Sequence, residues 1–410
     1  MPAAPTGARL LAAVFLPFAA GYYVSFLFRN VNSVVFPELT QTFDLSPGTL
    51  GLLTSVYFLT FAGAQLPLGM LIDRYGPRRV NATMLLIAAL GGVVFALATG
   101  LPALLAGRAL IGLGVAVCFM SSLVAFALWF PLERMATLMG WMLLIGAAGA
   151  LSATKPVELA LRVFDWRTLF VALSAFAVCA SLAIFLAVPE KPAPARAGTL
   201  RQQLAVVAGI LRNRGFWSIG LTAVFAQAIA LSLLGLWAGP WMRDVAGLDR
   251  ADLAQDLLFT AGAFGVGAVL CGTLSDGLAR RGVPPLVTYL AGCAACTMAL
   301  APIALGYGAA SVVLWIVYMA LSPSGTLAYP LLTARFPREM TGRVMTALNM
   351  FTFMVAFGIQ YGIGAIIGLW PVADGRYAVE GYRAAFGLCW VLQAAAVAWL
   401  AYAERTVLRR

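Results

Sequence analysis

Histidine is absent from all 410 residues, and of 27 basic side chains only two, Lys155 and Lys191, are lysine. Without histidine the usual nucleophile–base triads cannot be built, and no other nucleophile–base pair or metal-ligand cluster stands out, so no enzyme activity is expected. Charge of either sign is scarce, at 10% of residues where ordinary soluble domains carry about 25%. Cysteine is sparse too. Cys118, Cys179, Cys271, Cys293, Cys296 and Cys389 all fall in apolar stretches and read as small packing residues. The Cys293-x-x-Cys296 pair has a redox spacing but lacks the soluble βαβ context such a motif needs. No metal or cofactor is expected.

What remains is apolar. Hydrophobic residues make up 62% of the chain, and the apolar stretches recur at about 20 residues, the length that crosses a bilayer as a helix. The reading is an all-α membrane protein with twelve transmembrane helices. The spans are expected near 10–36, 48–71, 80–98, 103–127, 137–158, 168–188, 216–240, 253–274, 285–305, 309–333, 343–369 and 384–403. The first run is too long for a cleavable signal peptide and stays as the first helix.

The net charge of +11 does not imply nucleic acid, because the basic residues form no patch interleaved with aromatic rings. They sit in short loops, on one side of the membrane. Eighteen lie on the face that carries Arg74, Arg78 and Arg79, the Lys191–Arg214 group, Arg335 to Arg343 and both chain ends. Six, namely Arg162, Arg167, Arg243, Arg250, Arg376 and Arg383, lie opposite. An excess of positive loops marks the cytoplasmic side, so both termini are expected there. The arginine-, alanine- and glycine-rich composition suggests a bacterial inner membrane.

The longest polar interval divides the chain into an N-terminal half, 1–188, a cytoplasmic linker, 189–214, and a C-terminal half, 215–410. The linker's second part, L-R-Q-Q-L-A-V-V-A-G-I-L-R, has an apolar face at helical spacing with basic flanks, as expected of a helix lying on the membrane surface. The halves repeat. G-M-L-I-D-R-Y-G-P-R-R from Gly69 recurs as G-T-L-S-D-G-L-A-R-R-G from Gly272, F-P-L-E-R from Phe130 as F-P-R-E-M from Phe336, and W-R-T-L-F from Trp166 as Y-R-A-A-F from Tyr382. Three motifs in one order at nearly one offset indicate internal duplication, a feature of secondary transporters that bind substrate at the repeat interface.

The stretch Gly69–Arg79 resembles the loop motif of the major facilitator superfamily, with Gly69, Leu71, Asp73, Arg74, Gly76, Arg78 and Arg79 matching. Gly272, Asp276, Arg280 and Arg281 form a looser second copy, and Arg108-A-L-I-Gly112-L-Gly114 resembles the family's fourth-span motif. The resemblance implies two pseudo-symmetric six-helix bundles. It also implies a central cavity lined by spans one, four, seven and ten, and a cytoplasmic latch in which Asp73 faces the eleventh span near Thr341. Gly76 would serve a tight turn and Gly69 a close helix approach.

Three basic residues, Arg29, Arg108 and Lys155, fall inside predicted spans, whereas each of the sixteen acidic residues lies in a loop or near a span end. A lone basic residue at a helix centre costs roughly 2.5–3.5 kcal/mol on insertion scales, and such residues commonly mark a substrate path. Tyr22, Phe26, Arg29 and Ser33 share one helical stripe. Arg29 is therefore the candidate anchor for the carboxylate or phosphate of an anionic or zwitterionic small molecule, a group its two parallel donors fit. Asn32, Tyr22, Arg108, Gln227, Trp237 and Tyr318 are further candidate contacts, and Lys155, Glu38 and Glu158 are candidates for a secondary charge or for proton coupling. The expected function is secondary transport by a monomer, with symport, exchange and facilitated diffusion open. The alternatives are a drug/proton antiporter, disfavoured by the positive interior and by the absence of a Gly-Pro in Gly140–Gly149, and a non-transporting sensor.

Overall fold

In the computed structural model, residues 8–131, 134–189, 200–337, 340–373 and 375–405 are described. Residues 190–199 of the expected linker, positions 132–133 and 338–339 of the repeated Phe-Pro motif, and the chain ends lie outside the described residues. Twelve helices among the described residues are long and apolar enough to cross a membrane. They run Leu11–Asn30, Pro47–Tyr75, Pro77–Ala96, Leu101–Trp129, Thr137–Leu161, Trp166–Ala187, Arg214–Asp244, Arg250–Arg280, Pro285–Ala304, Ser311–Thr333, Thr341–Ile367 and Val379–Ala403, here spans one to twelve. Two further helices, Asn32–Phe43 and Leu200–Arg212, complete the set that bears on the site.

The contacts group the chain into two compact units. The first comprises Met1–Val31 with Val56–Gln203, the second Asn32–Ser55 with Leu204–Arg410. In the first unit, span three packs on spans four and six, and span one on spans five and six. In the second, span nine packs on ten and twelve, and span seven on eleven and twelve. Each pairing of the first unit recurs six spans later, which is the duplication expressed as packing. Residues 32–55 group by their contacts with the second unit.

Local chemistry explains where helices stop. Gly76 joins spans two and three at φ +80°, a left-handed conformation glycine adopts without strain, and Pro77 follows at the first helical turn, where its missing N–H is harmless. The turn expectation for Gly76 stands. A Cβ on Gly69 would meet no atom within 4 Å among the described residues. Close approach is found on the fourth-span motif instead, where a Cβ on Gly112 would lie 2.5 Å from the Tyr57 carbonyl oxygen.

Spans one, four, seven and ten are interrupted. The first helix ends at Asn30 and restarts at Asn32; the fourth breaks between Val115 and Cys118. The seventh widens to a π-turn at Leu233–Trp237, and the tenth tightens to a 3-10 turn at Ser322–Leu327. In span ten the cause is visible. Pro323 has no N–H to give the preceding turn, and the Ser322 hydroxyl donates to the Met319 carbonyl at 3.0 Å.

Candidate functional site

Arg29 lies at the last turn of span one, one residue before the helix ends. Its half-buried guanidinium lies over the rings of Phe26, Phe61 and Tyr57, with centroids at 4.8, 5.3 and 5.8 Å. Nε donates weakly to the Tyr57 hydroxyl at 3.4 Å. Helical spacing assembles this cage. Tyr57 and Phe61 are four residues apart on span two and stack at 5.9 Å. Phe26 meets Tyr22, one turn earlier, at 4.9 Å, and Tyr22 meets Phe119 of span four at 5.3 Å.

Small residues on span five fix these rings. A Cβ on Gly146 would lie 2.8 Å from Tyr22 Cε1 and 3.1 Å from Phe26 Cε2, and one on Gly149 would lie 2.6 Å from the Tyr23 carbonyl oxygen. The span-five glycines thus let the aromatic face of span one seat directly on the neighbouring helix.

Arg108 shares Tyr57 with Arg29 but is used differently. It is 1% exposed, its Nη1 donates to the Phe28 carbonyl at 3.0 Å, and its guanidinium lies 5.5 Å from the Tyr57 ring centroid. Phe28 lies just before the break in span one, so Arg108 satisfies a carbonyl where the helix is interrupted. Its Nε has no hydrogen-bond partner among the described residues. Two guanidiniums thus lie over one ring in the first unit.

The remaining candidates divide by packing. Tyr22 is buried in the cage. Asn32 is 0% exposed in the second unit, with neither amide atom hydrogen-bonded among the described residues. Gln227 donates to the Gly325 carbonyl at 3.5 Å. Trp237 is 0% exposed and donates to the Gln360 carbonyl at 3.0 Å, and Tyr318 is 0% exposed with no hydrogen-bond partner for its hydroxyl among the described residues. A ligand reaches Trp237 or Tyr318 only if that packing opens. Glu158 takes Arg162 at 2.8 Å and Lys155 at 3.8 Å, and Glu38 pairs with Arg250 at 2.5 Å. In the loop motif, Arg78 donates to the Phe185 carbonyl from Nε at 2.9 Å, tying the loop to the end of span six, and Arg74 lies over Tyr75. Arg79 is exposed, as are Asp276, Arg280 and Arg281, and a Cβ on Gly272 would meet nothing within 4 Å.

Sequence reasoning missed a second charged centre. Arg243 donates to Asp244 through Nε at 2.6 Å and Nη2 at 3.0 Å. The Tyr382 hydroxyl at 2.8 Å and the Tyr377 N–H at 3.2 Å also donate to Asp244, whose side chain is 0% exposed. The same guanidinium lies over Phe36 at 5.1 Å and Tyr377 at 5.6 Å, so the helix Asn32–Phe43 is held to the end of span seven. The Arg243-Asp244 dipeptide was visible; its burial against Tyr382 had no local signal.

Outside the spans, Arg335 forms a bidentate pair with Glu404, both contacts at 2.7 Å, and also donates to Ser218. These hydrogen bonds hold the Glu404 carboxyl below its usual range. Burial raises the Tyr377 phenol. The Asp165 carboxyl, which caps span six through the Thr168 N–H at 2.9 Å, is lowered by its hydrogen bonds to Thr168.

The duplicated twelve-span bundle defines the class, a polytopic integral membrane protein. A profile of the Major Facilitator Superfamily matches residues 18–360, and the chain belongs to that superfamily. The protein named Probable sulfoacetate transporter SauU, from Cupriavidus necator, is 25% identical over 275 residues, covering 63% of this chain and 64% of that one. The protein named Probable L-galactonate transporter, from Escherichia coli, is 22% identical over 367 residues, covering 84% and 80%. The chain thus spans a little under two thirds of the first relative's length. A solved structure described as a bacterial homolog of the human lysosomal transporter Spinster, inward-facing and occupied, matches with a TM-score of 0.78 at 20% identity over 98% and 99% of the chains. That likeness concerns the fold.

Proposed function

We propose that this protein is a secondary transporter that carries a small anionic or zwitterionic organic solute across the bilayer by alternating access, with Arg29 as the anchor for the anionic group. The observation that carries the reading is the position of Arg29: inside the apolar span set, half-buried rather than enclosed, and sharing the Tyr57 ring with a second guanidinium. Such a locus attracts anions and repels cationic cargo. Two relatives named for transport of anions, sulfoacetate and L-galactonate, support the class without fixing the solute.

Arg108 acts as a positioning residue that holds the break of span one. The repeated loops Gly69–Arg79 and Gly272–Arg281 act as conformational latches. Tyr22 completes the cage; Asn32, Gln227, Trp237 and Tyr318 contribute only in a state that exposes them. Lys155, Glu38 and Glu158 form the secondary charges at the opposite face, where a coupled proton would load. The protein works as a monomer in a bacterial inner membrane, with both termini in the cytoplasm, as 1–188 and 215–410 joined by the linker 189–214. The test is exchange flux in proteoliposomes across a panel of carboxylates, sulfonates and their neutral analogues. Flux confined to anions and lost by about 100-fold in Arg29→Ala is expected, a loss in line with a removed charge-assisted contact of about 1.5–3 kcal/mol. Flux of neutral analogues at the anion rate would reject the reading.

A further inference from the structure

The repeated motifs W-R-T-L-F from Trp166 and Y-R-A-A-F from Tyr382 place Arg167 and Arg383 in one register, near the starts of spans six and twelve. Each ties down the end of an earlier span. Arg167 Nη1 donates to the Ala98 carbonyl at 2.8 Å, and Arg383 Nε donates to the Leu305 carbonyl at 2.9 Å. Those carbonyls lie just past the ends of spans three and nine, so capping is the role the two copies share. The copies then diverge. Four and seven residues after the arginine, Val171 and Ser174 in the first give way to Gly387 and Trp390 in the second.

That spacing puts Arg383, Gly387 and Trp390 on one face of span twelve. A Cβ on Gly387 would meet nothing within 4 Å among the described residues, and span nine offers only Ala301 and Ala304 beside it. The result is a cavity of about 490 Å³ lined by these five residues and Leu305, within the roughly 300–1,000 Å³ of ligand sites. Trp390 is held in place, its Nε1 donating to the Thr297 carbonyl at 3.1 Å. The bilayer reaches this face. Span twelve is 33% buried where span seven is 72%, and Leu305, Leu388 and Val391 are exposed around the cavity. A second apolar cavity of about 400 Å³, beside Gly63, Pro67 and Leu110, has no charged residue in its lining. What sets the span-twelve cavity apart is a cation at its rim. Arg383 is exposed, and no ion pair engages it among the described residues. With Nε on Leu305, its two Nη groups form the donor pair that fits two oxygens of a phosphate. Its place near a span end is the level at which headgroups lie.

We propose that this face of spans nine and twelve seats one glycerophospholipid, its phosphate on Arg383 and one acyl chain lying over Gly387 toward the Trp390 ring. The test is native mass spectrometry of the detergent-purified full chain titrated with dioleoyl phosphatidylglycerol. Dioleoylglycerol supplies the same chains without the phosphate. The wild type is expected to retain one phosphatidylglycerol and no dioleoylglycerol. Arg383→Gln removes the cation, and Gly387→Leu fills the cavity at a position where a Cβ meets no atom. Each variant, checked for folding by gel filtration, should lower the retained lipid at least fivefold. Gly63→Leu, the same filling in the uncharged cavity, should leave it unchanged. Wild-type retention in either span-twelve variant, equal retention of dioleoylglycerol, or an equal loss in Gly63→Leu would overturn the proposal. A wild-type dimer that Gly387→Leu dissociates would assign the cavity to a second copy of the chain and overturn it as well.

Discussion

Two arginine centres embedded in this protein treat charge in opposite ways. Arg243 in the second unit is clamped to a fully buried carboxylate, Asp244, which also receives Tyr382 and the Tyr377 N–H. In the first unit, Arg29 and Arg108 share one tyrosine ring, with aromatic faces and a backbone carbonyl around them. The first arrangement neutralises charge in place and suits a structural joint. In the second, two guanidiniums share one ring, and Arg29 remains partly exposed. Burial with a carboxylate suits an arginine that holds the fold, and the partly exposed Arg29 is the one proposed above to meet an incoming anion.

That comparison is open to attack by substitution. The largest effect is expected at the joint. Asp244→Asn leaves the Arg243 charge without its carboxylate, and breaking one member of a buried pair costs about 3–5 kcal/mol. The measurement is thermal unfolding of the purified protein, and Arg243→Met added to Asp244→Asn should recover part of the loss. A mild single substitution would mean that the joint is not load-sharing and that the contrast with Arg29 is false. Next comes Arg108→Met, which strands the Phe28 carbonyl at the break of span one and should cost about 1–3 kcal/mol, the penalty for a buried unsatisfied group. Anion affinity should fall far less than in Arg29→Gln; equal losses would merge the two arginines into one role.

The smallest effect concerns the Arg335–Glu404 pair, part exposed on the arginine side. Because Glu404 titrates below its usual range, the pair contributes stability above the unfolded-state value near 4.3. That contribution is lost as pH falls through the lowered folded-state value. Unfolding temperatures of wild type and Glu404→Gln should differ at neutral pH and converge on acidification. A constant gap would show that the pair's worth is not electrostatic.

Much of this architecture was legible because the bilayer demands it. The expected spans fall within a few residues of the helices found, since about 20 apolar residues are needed to cross. The exception is the first, expected to run to 36 but interrupted at Val31. No glycine or proline sits at that break, so the chain gives no local warning; what marks it is Arg108 reaching across from span four. Arg29 was legible for the opposite reason, a charge in an apolar run. Its ring partners on span two were not, because contacts between helices leave no periodicity in either one. Asp244 reads as a span-end residue, and only tertiary packing buries it. Trp237 reads as a cavity anchor, yet its N–H is engaged with Gln360 and its ring packs between Gly51 and Gly364.

The central claim, that Arg29 holds the charge of the cargo, is tested most directly by a two-by-two binding cycle. An anionic solute and its neutral amide are each titrated against wild type and Arg29→Gln, with folding verified in both. If the guanidinium meets the anionic group, removing either charge abolishes the same interaction, and the cycle shows a coupling of about 2 kcal/mol or more. If the losses simply add, the two charges do not meet, and the anchor lies elsewhere.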